Sequence, residues 1–178
     1  MSTEIRLTPT SYIVLGLLEI AGESTPYDLK QMVAISLGNF WSLQHAQLYT
    51  EPERLTAAGL LSERREESGR RRKHYRVTER GREALRVWLA EPTRELTELR
   101  DLALLKVFFG SDPQAMAAAQ LPAHEAKLAG YEELRESAAD AGAVESIPEG
   151  PRISLRAGIE AERLWVEFWS RLRGEDPV

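Results

Sequence analysis

The sequence predicts a mostly α fold: a winged helix-turn-helix domain, helices plus a two-stranded β-wing, followed by an α-helical domain. Three observations predict it. The stretch Trp41 to Tyr75 runs as a polar segment, a helix, a Gly stop, a short strand, a basic turn and a second strand. Between Arg64 and Arg82 stand nine Lys/Arg against three Glu. Beyond Pro92 the apolar residues keep helical spacing, and no alternating strand pattern returns.

Thr8-Pro9 opens the first helix with a hydroxyl cap and a Pro where no amide partner is needed. Tyr12-Ile13-Val14-Leu15-Gly16-Leu17-Leu18 and Ile20 follow, apolar nearly all round, so more than one side is buried, in the core or at a subunit contact. Gly22 ends it. Thr25-Pro26 repeats the opening, and Tyr27, Leu29, Val33 and Leu37 form the apolar side of a second helix stopped at Gly38-Asn39. Phe40-Trp41 are expected to plug the core at the turn between helices.

The third helix carries a conflict. Thr50-Glu51-Pro52-Glu53 has the spacing of a capping box, which starts the helix near Thr50. A start near Leu43 leaves Pro52 inside, at a cost of roughly 3 kcal/mol. The helix is either kinked there or built of two pieces meeting near Thr50. Gly59 ends it, and Leu60-Leu61 lead into a hairpin with strands at Ser62 to Arg65 and Lys73 to Val77 and a Ser68-Gly69 turn. Arg70-Arg71-Arg72-Lys73 repel one another. A solvated loop tolerates that, but an anionic partner explains it more economically. Thr78-Glu79-Arg80-Gly81 caps a fourth helix with Leu85, Val87, Trp88 and Leu89 on its apolar side, closed by Glu91-Pro92. The boundary proposed there gives domains 1–91 and 92–178.

In the second half, Leu96, Leu99, Leu102, Ala103, Val107 and Phe108-Phe109 predict a helix stopped by Gly110. Ser111-Asp112-Pro113 starts another, running to about Ala139, which Pro122 is expected to bend or split. A loop is expected over 141–152. The last helix, Ile153 to Arg173, has too many large apolar groups for one stripe. Its Leu164, Trp165, Phe168, Trp169 and Leu172 are the candidate dimer interface, against the alternative of a monomeric helical hairpin.

Net charge is −5, but unevenly spread. Residues 1–90 carry 13 Lys/Arg and 11 Asp/Glu, a net of +2; residues 91–178 carry 10 and 17, a net of −7. Exposed charges are screened beyond about 10 Å at moderate salt, so a local basic face on an acidic body is compatible with a polyanion. There is no Cys, which excludes disulfides and thiolate metal sites. His45, His74 and His124 are scattered, and no phosphate loop or carboxylate–His cluster is present, so neither metal, cofactor nor catalysis is expected. No signal peptide or membrane-length apolar run occurs, and a cytoplasmic location is expected.

Taken together, Tyr12 to Leu18, Tyr27-Asp28-Leu29, Phe40-Trp41-Ser42, Gln47-Leu48-Tyr49, Arg54 to Leu61, Arg72 to Thr78 and Leu104 to Gly110 resemble the PadR family of regulators in content and order. Thr50 and Pro52 stand where that family usually has Pro and Leu. The resemblance implies a winged-helix domain followed by helices that form a homodimer. It implies repression of transcription at a pseudo-palindromic double-stranded DNA operator, with release by a small aromatic or hydrophobic effector. It puts Ser42, Gln44, His45, Gln47 and Tyr49 on the DNA-facing start of the recognition helix and Arg70, Arg71, Arg72, Lys73 and His74 on the wing. Gln44, Gln47 and Tyr49 are then expected at major-groove edges, with Arg54 and the wing cations on phosphates. The rival expectation is a winged-helix module that binds protein and never touches DNA.

Overall fold

The computed structural model describes residues 5–67, 71–140 and 148–174. They fall into two compact units, Met1–Glu95 and Leu96–Val178.

The first unit has helices α1 (Pro9–Ala21), α2 (Pro26–Ile35) and α3 (Gln47–Ala57), strands β1 (Leu61–Arg65) and β2 (Lys73–Val77), and helix α4 (Glu79–Ala90). The caps read from the sequence form. Thr25 accepts from the Asp28 amide, and Thr78 accepts from the Gly81 amide. Gly22 and Gly59 take φ of 77° and 74°, open to glycine at little cost. The strands pair antiparallel in the register Leu61↔Val77, Glu63↔Tyr75 and Arg65↔Lys73. A one-residue bridge, with Ser24 and Tyr75 exchanging both backbone hydrogen bonds (3.1 and 2.9 Å), ties β2 to the turn after α1. Val14, Leu15, Leu29, Leu48, Leu55, Tyr75 and Leu85 meet in one core. Fully burying a side chain of this size contributes about 1.5–3 kcal/mol.

Several expectations need correction here. Phe40 and Trp41 do not plug the core; they are 60% and 42% exposed, because a 3-10 turn (Leu37–Asn39) sends Leu37 inward instead. Tyr27 is also exposed, its hydroxyl accepting from Gln31 Nε2. Val87 and Leu89 face out from α4, while Trp88 lies flat on Tyr12 of α1, ring centroids 4.4 Å apart. The third helix starts neither at Leu43 nor at Thr50. Turns bonded three residues back lead into Gln47, and Thr50 Oγ1 donates to the Ala46 carbonyl instead of capping. Pro52 sits inside a single α3, fully buried, so its missing N–H leaves the Leu48 carbonyl short of one bond while the ring fills the core.

The second unit holds α5 (Leu102–Phe108), α6 (Pro113–Asp140) and α7 (Glu149–Arg173). Asp101 caps α5 by accepting from the Leu104 amide, so Leu96 and Leu99 lie outside that helix. Pro122 does not split α6, which runs as one helix of 28 residues. Residues 149–152, expected as loop, form the first turn of α7; residues 141–147 lie outside the described set. α6 and α7 pack antiparallel, with Gly158 against the Tyr131 ring, where a Cβ would stand 3.1 Å from the ring edge. Ala103, Ala117, Leu121 and Trp169 form the core.

Candidate nucleic-acid interface

α3 turns one face inward and one outward. Leu48, Glu51, Pro52 and Leu55 are buried, at the spacing of a single helical stripe, so Gln47, Tyr49, Thr50 and Glu53 are left in solvent. Gln47 and Tyr49 therefore occupy the exposed first turn of the helix. Ser42, Gln44 and His45 are exposed but precede it, in an irregular segment and a turn.

Arg54 does not project freely toward an external phosphate. Its Nη2 donates to Glu51 Oε1 (2.6 Å) and to Ser11 Oγ (2.9 Å), its Nε to Glu51 Oε2 (2.9 Å), and its Nη1 to the Arg6 carbonyl (3.1 Å). Ser11, fully buried on α1, donates to Glu51 Oε1 at 2.6 Å and accepts from the Thr8 amide. Burial works to raise the Glu51 carboxyl, but the hydrogen bonds from Arg54 and Ser11 outweigh it and hold it below its ordinary value. The network joins α3 to α1 and fixes which face of α3 is outward. Its local part, Glu51 and Arg54 three residues apart, was readable from helical spacing. Ser11, forty residues away, was not.

The hairpin holds its cations against carboxylates. Arg72 Nε donates to Glu66 (3.1 Å), His74 Nε2 lies 3.1 Å from the same carboxylate, and Arg64 pairs with Glu23. Lys73 Nζ reaches Glu53 on α3 at 2.5 Å and Glu63 on β1 at 3.3 Å. The sequence sets Arg70 to Lys73 only against one another; the fold gives Arg72 and Lys73 carboxylate partners in the hairpin and on α3. Hydrogen bonding from His74 and Arg72 takes the Glu66 carboxyl down to about 2, and Arg64 and Arg65 lower Glu23 and Glu63. These pairs stand at the surface, where solvent and salt screen them, so a phosphate can replace the carboxylate. Arg71 is exposed, with φ 50°, and makes no ion pair with a described residue. Arg70 lies outside the described residues.

In the helical unit, the candidate interface residues divide. Trp169 is fully buried in its own chain, and Trp165 and Leu172 pack against that core. Leu164 and Phe168 remain exposed, as do Leu102, Leu105 and Phe108 on α5 and Phe109 at its end, the last two at 81% and 78%. His124 is not a plain surface residue: its Nδ1 lies 2.6 Å from Glu162, a buried carboxylate that also takes Lys127 at 2.7 Å. Burial opposes the ionised Glu162, yet Lys127 and His124 hold its carboxyl below the ordinary value. No group of three or more residues suited to a metal ion, and no helix long and apolar enough to cross a membrane, occurs among the described residues.

Comparison with known proteins adds a second line. The family model described as transcriptional regulator PadR-like matches residues 14–87, and that described as virulence activator alpha C-term matches residues 99–174. The negative transcriptional regulator PadR of Bacillus subtilis (strain 168) is 31% identical over 168 residues, 88% of this chain and 91% of that protein. The crystal structure of Bacillus subtilis PadR in complex with operator DNA superposes with a TM-score of 0.84 at 26% identity, covering 96% of this chain and 98% of the other. The same protein in complex with p-coumaric acid gives 0.74 at 25% identity, covering 95% and 97%.

Proposed function

This chain belongs to the PadR-like family of transcriptional regulators, and on that premise we propose that it is a dimeric winged-helix repressor of a double-stranded operator. The observation that carries the reading is the outward face of α3, with Gln47 and Tyr49, standing beside a hairpin whose cations are held by solvent-accessible ion pairs. The amide of Gln47 suits adenine, whose edge offers one acceptor and one donor in the major groove. Ser42, Gln44 and His45 serve from the segment before the helix. Arg71, Arg72, Lys73 and His74, with Arg70, meet flanking phosphates and fix register. Arg54 is better used as a brace between α3 and α1 than as a phosphate clamp. The operator-bound form of the relative supports DNA as the partner.

The dimer is formed by the helical unit, residues 92–178, and its cover is the apolar face of α5 with Leu164 and Phe168 of α7. A continuous exposure of Leu102, Leu105, Phe108 and Phe109 is more than a soluble monomer ordinarily leaves in water. Two heads on one dimer call for a pseudo-palindromic site. Release follows when a small aromatic or hydrophobic effector binds a conformation whose heads miss the groove; the p-coumaric acid complex of the relative supports that class of ligand. The reading assigns the chain no catalytic step, and a repressor works beside the chromosome, in the cytoplasm.

The test is selection of duplexes from a random pool, followed by titration of the enriched duplex. Expected are a pseudo-palindromic consensus, retardation by dimer, and loss of retardation with a member of a phenolic-acid panel. Replacing Arg71, Arg72 and Lys73 with Ala abolishes retardation. A protein that retards no duplex at low salt, yet captures a protein partner with or without those three residues, is the interaction module instead.

A further inference from the structure

The segment ahead of α1 alternates. Ile5 and Leu7 pack against the core of the first unit, and Arg6 between them is exposed. The Arg6 carbonyl accepts from Arg54 Nη1 at 3.1 Å, so the brace that joins α3 to α1 also pins this segment beside α3. The Arg6 side chain makes no ion pair with a described residue, and the carboxylate of the brace, Glu51, is already taken by Arg54 and Ser11. Helical spacing then sorts the flanks of α3. Tyr49 and Glu53, four residues apart, share one flank of the outward face, and Glu53 meets Lys73 of the hairpin there. Gln47, Glu51 and Arg54 share the other, where Glu51 and Arg54 meet α1. The hairpin and the Arg6 segment thus stand on opposite flanks of the helix.

We propose that Arg6 contacts phosphate on the side of the groove opposite the hairpin, held there by Arg54 through its backbone carbonyl. The inference rests on the DNA-binding reading above and adds a residue to it. A helix lying in a major groove about 12 Å wide has a row of phosphates along each side. The wing cations serve one row. On the other flank Arg54 is engaged within the fold, and Arg6 is the exposed cation that its hydrogen bond brings alongside. Arg6 has no described carboxylate to leave before it neutralises a phosphate, and its backbone is already fixed. Each phosphate so neutralised adds about 0.9 to the log–log salt slope. Such a contact carries no base information; it sets the register and tilt of α3 between the two rows and acts on all duplexes alike.

The experiment compares wild type, Arg6→Ala, Arg6→Lys, Lys73→Ala and Arg152→Ala, each full length. Probes are a duplex enriched from a random pool by the wild type and a scrambled duplex, followed by fluorescence anisotropy across a salt series. Arg6 is exposed, so circular dichroism of its variants should match wild type. Expected for Arg6→Ala is about tenfold weaker binding of both duplexes, with a salt slope shallower by about two per dimer, one for each subunit. Arg6→Lys keeps the slope. Arg152, an exposed cation of the helical unit, is the control for net charge, and Arg152→Ala leaves the slope as in wild type. Neutral methylphosphonate, placed at one phosphate at a time along the enriched duplex, then locates the contact. Phosphates that matter to wild type but not to Arg6→Ala should lie across the groove from those that matter to wild type but not to Lys73→Ala. Three results overturn the inference: an unchanged salt slope in Arg6→Ala; a loss that Arg152→Ala matches, which is mere net charge; or Arg6-dependent phosphates that coincide with those of Lys73. Wild type that binds no duplex at low salt overturns the underlying reading, and this inference with it.

Discussion

Gly81 has no room for a side chain. A Cβ there would stand 2.2 Å from the Leu60 carbonyl oxygen, which also accepts from the Thr78 amide and hydroxyl. Gly81→Ala must push α4 off the base of the hairpin and should cost about 2–3 kcal/mol in urea denaturation. The sequence marked Gly81 as part of a cap; it could not show the carbonyl behind it, because Leu60 is brought there by the fold. The wing cations teach the same lesson. Their sequence density was plain, but their partners Glu23, Glu53, Glu63 and Glu66 come from four different places along the chain. Glu66 gives a pH test. Its folded value, about 2, lies below the ordinary 4.5, so its contribution to stability is complete above about pH 4.5 and fades as pH falls toward 2. A carboxyl carbon titration of Glu66 should show that low midpoint, and Glu66→Gln should lose less stability than wild type over the same interval.

The helix with a hydroxyl cap, a Pro in the first turn and a Gly stop was legible from end to end, as α1 shows, and α4 was legible from its Thr78 cap to Glu91. The hairpin strands were legible to within a residue. What local pattern could not give was the choice between two starts for α3. Thr50 and Pro52 imitate a cap, and only the burial of the Pro52 ring and the brace from Ser11 through Glu51 to Arg54 decide for one helix through both. Orientation was likewise hidden: Phe40-Trp41 and Trp169 are all large aromatics, yet the first pair faces water and the last is fully enclosed. α6 and α7 supply the prediction at this scale. Glu162→Gln leaves Lys127 and His124 without their carboxylate across the helix pair. It should destabilise the helical unit by about 1–3 kcal/mol, discounted because Lys127 is half exposed, as read by thermal melting.

Across the chain as a whole, the basic hairpin belongs to residues 1–95 and the apolar exposure of α5 to residues 96–178. If α5 is covered by a second copy, Phe108→Ser with Phe109→Ser should sediment as a monomer at micromolar concentration and lose operator retardation with its fold intact. Trp169→Ala is the contrasting case. It empties a core position, should cost about 3–5 kcal/mol, and should melt the helical unit before it separates subunits. The bridge between Ser24 and Tyr75 has a mechanical consequence. Two peptide groups clamp the hairpin's second strand to the bend that follows the first helix, so the ribbon is not an independent arm. Any force that tilts that bend is delivered to Tyr75 without lag, and the grip of the hairpin is thereby geared to the posture of the helix beneath it.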